Sequence, residues 1–477
     1  MTHAVVPVIP ARHPAREVWA QAWPTVITML SYTLMQFVDS LMVSRLGPLA
    51  VAAQGDGGIW AFAPQSFLMG FISLVNTYVS QNVGAGRRDA VARYAWSGLW
   101  LAWASWLLVM VPWGLAMPWA FARVGHSPDL VRLESQYGQI LAFGAVANLS
   151  GKAMSNLFFG LQRPRLITVA AIVGNVVNLS LNYALVFGAE GLPGWPGVPF
   201  APRLGVAGSA IATVCGTLVE AALPLSVFLV GPLARELGTR AAWRPRWREI
   251  RDLLRRGWPV SIQFGNEIIC WAIFMTVLVG HFGELHLTAG WSTLRYMHLS
   301  FMPAVGFSVA TTALAGRYIG AGRPDLAANR VHWAMGMAMA YMTACGLAMA
   351  LFRSSLVGVF VSDGDPEVVA QVISIGSRLM ICAAVFQTFD AVGIVYTGAL
   401  RGAGDTLVPG VATIALSWSL IVGVGAWLAW NRPEWASVGP WVGASVYIVV
   451  YGLWMAARFE RGAWRRIRLL EPTAGAR

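Results

Sequence analysis

Gln81-Asn-Val-Gly84-Ala-Gly86-Arg87-Arg-Asp89-Ala90 returns 236 positions later as Arg317-Tyr-Ile-Gly320-Ala-Gly322-Arg323-Pro-Asp325-Leu326. Leu46-Gly47-Pro-Leu49 and Phe282-Gly283-Glu-Leu285 keep the same offset. Trp23-Pro24 and Trp258-Pro259 lie 235 apart, and Gly160 and Gly398 lie 238 apart. Four anchors at nearly one spacing mark an internal duplication that runs through the chain.

Each half is almost wholly apolar. The 477 residues are 57% hydrophobic and 12% charged, with a mean hydropathy of +0.59; soluble chains carry about twice that charge. This excludes a soluble enzyme and a disordered chain. The 23 Trp and 50 Gly suit membrane interfaces and close-packed membrane helices. A spanning helix needs about 20 apolar residues. The pattern predicts twelve, over 21–44, 57–80, 95–119, 136–159, 166–188, 205–230, 258–281, 291–315, 332–352, 369–398, 406–430 and 438–457. The expected fold is an all-α integral membrane protein of two six-helix lobes, 1–235 and 236–477. Six is even, so the repeats run parallel, related by an axis along the membrane normal around a central cleft.

The formal charge of +12 has no polar domain to carry it, so nucleic acid is not an expected partner. With both termini inside, about 25 of the 34 basic residues fall in inner segments and about 6 in outer loops. The charge is therefore an orientation signal facing anionic lipid. The outer segment from Gly188 to Pro202, with Trp195, reads as a stiff hairpin. The polar start, Met1 to Arg16, shows no removable signal peptide. The four cysteines lie far apart in apolar stretches without metal-binding spacing and read as small core residues.

Ionisable residues at membrane depth are costly, by about 2.5–3.5 kcal/mol on insertion scales, and mark function by default. Asp39 lies 15 residues beyond Pro24, roughly 22 Å along the helix. Asn178 and Asn182 are i,i+4 neighbours on helix 5, and Thr213 on helix 6 comes to a similar level. Together they offer hard oxygen ligands for an alkali cation or a proton. Glu267 and Asp390 fall at one depth in the second half, where paired carboxylates can take up a proton or share a cation. At the repeat offset Asp390 matches Lys152, the only lysine, so the halves differ in charge at that point. Lys152 and Arg295 are possible cleft charges, with outward snorkelling the alternative for Arg295. Glu220 reads as a snorkelling residue. Pro24 and Pro259 open helices 1 and 7 and are bend candidates.

No GxSxG, HExxH or Walker loop occurs. Gly402-Ala-Gly404-Asp405 matches the GxGD string of intramembrane aspartyl proteases, but Asp405 falls in a loop. The chain is expected not to be an enzyme, to need no cofactor beyond a coupling ion, and to hold no metal beyond a possible Na⁺ site.

Several strings resemble the multidrug and toxic compound extrusion (MATE) family of the MOP superfamily, in its NorM-type bacterial branch. They are Gln36-Phe-Val-Asp39-Ser-Leu-Met-Val-Ser-Arg-Leu-Gly47, the two Gly-Ala-Gly turns, Asn178-Leu-Ser-Leu-Asn182-Tyr-Ala-Leu-Val-Phe-Gly188, Gly205-Val-Ala-Gly208-Ser-Ala-Ile-Ala-Thr213 and Gly398-Ala-Leu-Arg401-Gly402-Ala-Gly404-Asp405. The resemblance runs from about residue 15 to 460. It implies an antiporter that exports hydrophobic, often cationic drugs against inward Na⁺ or H⁺. The cell would be bacterial and the membrane cytoplasmic; the loop charges put both termini in the cytoplasm, and a chain that encloses its own cleft is expected to be a monomer. The resemblance also implies an N-lobe ion site at Asp39, Asn178, Asn182 and Thr213, and C-lobe carboxylates at Glu267 and Asp390. The family often has Asp where this chain has Asn182, and Arg295 is not part of its pattern. The GxGD string matches the family's helix 10–11 loop. A flippase for lipid-linked saccharides, of the same superfamily, and a cation channel are the alternative functions.

Overall fold

The computed structural model describes residues 13–191, 194, 196–360 and 366–470; Trp195 and the chain's first twelve residues lie outside them. The described residues form twelve long helices and no strand. They are α1 (Pro14–Ser44), α2 (Pro48–Gly84), α3 (Arg88–Val124), α4 (Pro128–Gly160), α5 (Pro164–Phe187), α6 (Val206–Leu229), α7 (Trp247–Phe282), α8 (Glu284–Gly320), α9 (Pro324–Leu351), α10 (Pro366–Ala403), α11 (Leu407–Asn431) and α12 (Val438–Glu460). Eleven are long and apolar enough to cross a membrane. The remaining one, α4, has the length at 33 residues but carries Asp129, Arg132, Glu134 and Lys152. Such charges persist in a membrane helix only when protein surrounds them or they reach an interface. The chain is a multi-pass membrane protein.

The duplication is visible atom by atom. Helices α2 and α8 both have 37 residues. Each starts after a glycine at positive φ, Gly47 at 106° and Gly283 at 94°. Each ends in one turn design: Gly86 and Gly322 sit in the left-handed region at 73° and 72°. The following Arg87 and Arg323 amides then donate back to Asn82 O at 2.9 Å and Tyr318 O at 2.8 Å. That bond satisfies carbonyls left open at a helix C-terminus, and a residue with a Cβ is strained at the turn. The Gly-Ala-Gly repeat is thus a pair of helix stops.

Two compact units are present: Ile27–Ser261, and Met1–Val26 with Ile262–Arg477. Helices α1 and α7 are each divided between units, two residues after Pro24 and Pro259. These prolines do not open their helices, as the sequence suggested. α1 begins at Pro14 and α7 at Trp247, because polar but helix-favouring turns precede the apolar runs. In the C-terminal unit, Val18 and Ala22 of α1 are fully buried in a core with Ala304, Phe307 and Val331. Glu17 of α1 pairs there with Arg330 at 2.9 Å. In the N-terminal unit, Tyr94 of α3 donates to Asp252 of α7 at 2.8 Å. Glycines bring the backbones together without side-chain clash. A Cβ on Gly70 would lie 2.3 Å from Ser261 Cα, and one on Gly306 would lie 2.8 Å from Val26 Cα. Gly70 and Gly306 are 236 apart, so the duplication holds at this contact too.

Candidate functional site

In the N-terminal unit, α5 and α6 approach through Gly174, Gly208 and Gly216. A Cβ on Gly216 would sit 2.8 Å from Asn178 Cβ and 2.8 Å from Gly174 O. This contact places Asn178 and Thr213 3.4 Å apart, and α1 delivers Asp39 to the same spot. The Asp39 carboxylate accepts three hydrogen bonds: from Asn182 at 2.5 Å, Thr213 at 3.2 Å and Asn178 at 3.4 Å. Asp39, Asn178 and Asn182 are 5%, 1% and 0% exposed. The site lies five residues before the end of α1 at Ser44 and seven into α6. The structure brings all four expected residues together. Three donors from two helices thus converge on one buried carboxylate. The Asn182 carbonyl, Oδ1, is buried with no partner among the described residues. A buried oxygen without a donor is the feature a cation or a proton would satisfy.

A second polar group lies further along the same helices. Tyr32 of α1 donates to Glu220 of α6. Lys152 Nζ of α4 stands 3.9 Å from the centre of the Tyr32 ring, a cation–π contact, and lies within electrostatic range of Glu220. Glu220 therefore does not snorkel: it is buried among α1, α4 and α5 and bonded to Tyr32.

In the C-terminal unit, Glu267 of α7 lies within electrostatic range of Asp390 and Arg401, both on α10. The expected carboxylates do share one region, and Arg401 is the basic residue near Glu267. Around them, Tyr451 of α12 bonds Thr397 at 2.8 Å and Gln263 at 3.2 Å. Asn266 donates to Ser417 at 2.9 Å and accepts from Trp418 at 2.8 Å. Arg295 is not brought to a carboxylate among the described residues; its guanidinium lies over the Phe360 ring at 4.9 Å.

The Tyr32 group and the Glu267 group are related by the duplication. Tyr32 matches Glu267 at the 235 offset of the prolines, and Lys152 matches Asp390 at 238. The third position follows from packing. Gly151 faces Ala221 across α4 and α6, while Gly452 faces Phe389 across α10 and α12. Phe389 is 238 after Gly151, so Glu220 corresponds to Tyr451. Tyr, Lys and Glu in one lobe thus answer Glu, Asp and Tyr in the other. Sequence reasoning missed Arg401, Tyr451 and the bonded role of Glu220. Arg401 carried a usable signal: it follows Asp390 by 11 residues, three helical turns, and so shares its face.

The MatE family model matches residues 24–184 and again 267–427. The chain belongs to the MatE family. The MatE repeat occurs once in each half of this chain, in keeping with the duplication. Curated MatE relatives include the multidrug resistance protein NorM of Burkholderia vietnamiensis, 31% identical over 442 residues and covering 92% of both chains. The probable multidrug resistance protein NorM of Pseudomonas putida is 28% identical over 94% of both. Among solved structures, a MOP superfamily transporter from Pyrococcus furiosus superposes with a TM-score of 0.84 at 19% identity, over 96% of this chain and 98% of that one. A MATE structure in the straight conformation gives 0.83 at 20% identity, over 94% and 97%. At these identities the solved structures establish the MATE fold.

Proposed function

We propose that this MatE protein is a multidrug antiporter of the bacterial cytoplasmic membrane. It exports hydrophobic, often cationic compounds in exchange for inward Na⁺ or H⁺. Both termini face the cytoplasm, and the monomer carries the whole transport path. The observation that carries this reading is the Asp39 cage with its unpartnered Asn182 carbonyl. A half-turn of the Asn182 amide presents Oδ1 beside the Asp39 carboxylate and Thr213 hydroxyl, making an oxygen site for a monovalent cation. Protonation of Asp39 neutralises the same site. Either event removes the pull of Asp39 on α5 and α6, and so biases the helix arrangement. A cationic substrate that favours the ion-free arrangement is then coupled to the ion by differential binding to two states.

The names of the curated relatives support the drug substrate. The C-terminal cluster of Glu267 and Asp390 supplies a second acidic site for ion or substrate. A saccharide-pyrophosphate flippase needs basic groups free for phosphate. Lys152 stands near Glu220 and Arg401 near Glu267 instead, which favours the antiporter, while Arg295 lies over the Phe360 ring. Purified protein in liposomes, loaded with a cationic dye, tests the reading. An imposed Na⁺ gradient or pH gradient should drive dye movement. No movement under either gradient would overturn it.

A further inference from the structure

Asp56, His126 and Glu134 meet on the N-terminal unit, each offering one ligand atom within 4.8 Å of the others. They come from three places in the chain, and 70 residues separate Asp56 from His126, so no spacing motif announces them. Three features bring them together. Gly57, next to Asp56 on α2, backs directly onto α4: a Cβ there would lie 2.6 Å from Glu134 O. Gly125 ends α3 in the left-handed region at φ 90° and turns His126 toward α4. Ser127 then caps α4 by accepting from Leu130 N at 3.4 Å, and Glu134 follows within two turns.

The charges at this spot do not balance. The Glu134 side chain is 0% exposed, and among the described residues its only partner is His126, whose Nδ1 is 3.0 Å from each carboxylate oxygen. The half-buried Asp56 side chain makes no hydrogen bond or ion pair among the described residues. Two carboxylates facing one imidazole leave one or two net negative charges, depending on the imidazole proton. A buried carboxylate with incomplete compensation is costly. One divalent cation with neutral His126 brings the sum to zero.

The donor set selects the cation. One imidazole nitrogen with two carboxylate oxygens suits a transition ion of the Zn²⁺ class better than Mg²⁺ or Ca²⁺. Neighbouring ligands around tetrahedral zinc stand about 3.3 Å apart at ordinary Zn–N and Zn–O lengths. The 3.0 Å separation of His126 and Glu134 is nearly that edge. We infer that Asp56, His126 and Glu134 bind one divalent transition-metal ion, with water in the remaining position.

The ion would fasten α2 to α4 beside the Asp39 cage, because Tyr137 follows Glu134 by one turn. Tyr137 lies near Gln54 and Ser209 and within electrostatic range of Asp39. The inference does not depend on the transport reading, since metal binding can be measured without transport.

The test uses full-length protein without a histidine tag, in detergent, with Zn²⁺ and Co²⁺ as probes. We expect one saturable Zn²⁺ per chain, a rise in Tm on Zn²⁺ addition, and intense visible absorption of the Co²⁺ form typical of four-coordination. His126→Ala, on the half-exposed turn, and Glu134→Gln should each weaken binding at least tenfold. Glu284→Gln, exposed in the C-terminal unit, should bind as the wild type does. Absence of 1:1 binding in the wild type would overturn the inference. So would undiminished binding in His126→Ala while that variant elutes as folded protein.

Discussion

Asn182 donates its side-chain amide to the Asp39 carboxylate at 2.5 Å, while its own carbonyl oxygen is buried without a partner. One residue thus both holds the acidic group and leaves an unsatisfied acceptor beside it. Replacing Asn182 by Leu removes both features. A hydrogen bond to a charged group is worth about 1.5–3 kcal/mol. Ion-driven dye export by Asn182→Leu should therefore fall about 10- to 100-fold. Loss of the unpartnered oxygen offsets loss of the bond, so Tm should change by only a few degrees. Unaltered export rates in proteoliposomes would count against the role given to this amide.

The Lys152, Tyr32 and Glu220 group carries opposite charges in one buried place. Removing one charge strands the other, so each single variant should be worse than additivity allows. Lys152→Met and Glu220→Gln should each lower Tm in detergent, and the double variant should recover part of the loss. A coupling energy of about 1–3 kcal/mol is expected from the cycle. Strictly additive losses would show that the two charges act independently.

Glycine contacts fix where α1 and α7 pack within their units. A Cβ on Gly70 meets the Ser261 backbone, and one on Gly306 meets the Val26 backbone. Backbone cannot give way as a side-chain tip can, so overpacking here costs about 1–3 kcal/mol. Gly70→Ala and Gly306→Ala should both reduce Tm and the yield of monodisperse protein. Gly336→Ala, with nothing within 4 Å, should leave both unchanged or improve them. Equal behaviour of all three variants would contradict the packing.

Pro24 and Pro259 lie inside continuous helices, two residues before the points where α1 and α7 pass between units. Interior proline removes a backbone hydrogen bond and eases bending. Pro24→Ala and Pro259→Ala should raise or preserve Tm and slow export several-fold. Faster export would mean that bending at these points is no part of the cycle.

Much of the architecture was legible because a membrane demands long apolar runs, and twelve such runs stand out. The Gly-Ala-Gly strings revealed the duplication because only glycine takes the positive φ of those helix stops. The Asp39 partners were legible where they share a helix face, as Asn178 and Asn182 do. Other features depended on how helices meet. The partner of Glu220 is Tyr32, 188 residues away, and no spacing rule connects them. Tyr451 is joined to Thr397 and Gln263 across three helices. The true starts of α1 and α7 were hidden because hydropathy ends where their polar first turns begin. For Arg295 the sequence supplies a depth but not a neighbour; its contact with Phe360 joins residues 65 apart.

The central claim is that Asp39 couples ion entry to export. Everted membrane vesicles containing wild-type protein or Asp39→Asn can be compared for uptake of a cationic dye under matched Na⁺ and proton gradients, with expression and folding checked by size-exclusion profile. The variant keeps the shape of Asp39 and loses its charge, so we predict loss of gradient-driven uptake, by about tenfold or more, in a protein that remains folded. Uptake equal to wild type under the same gradient would contradict the account.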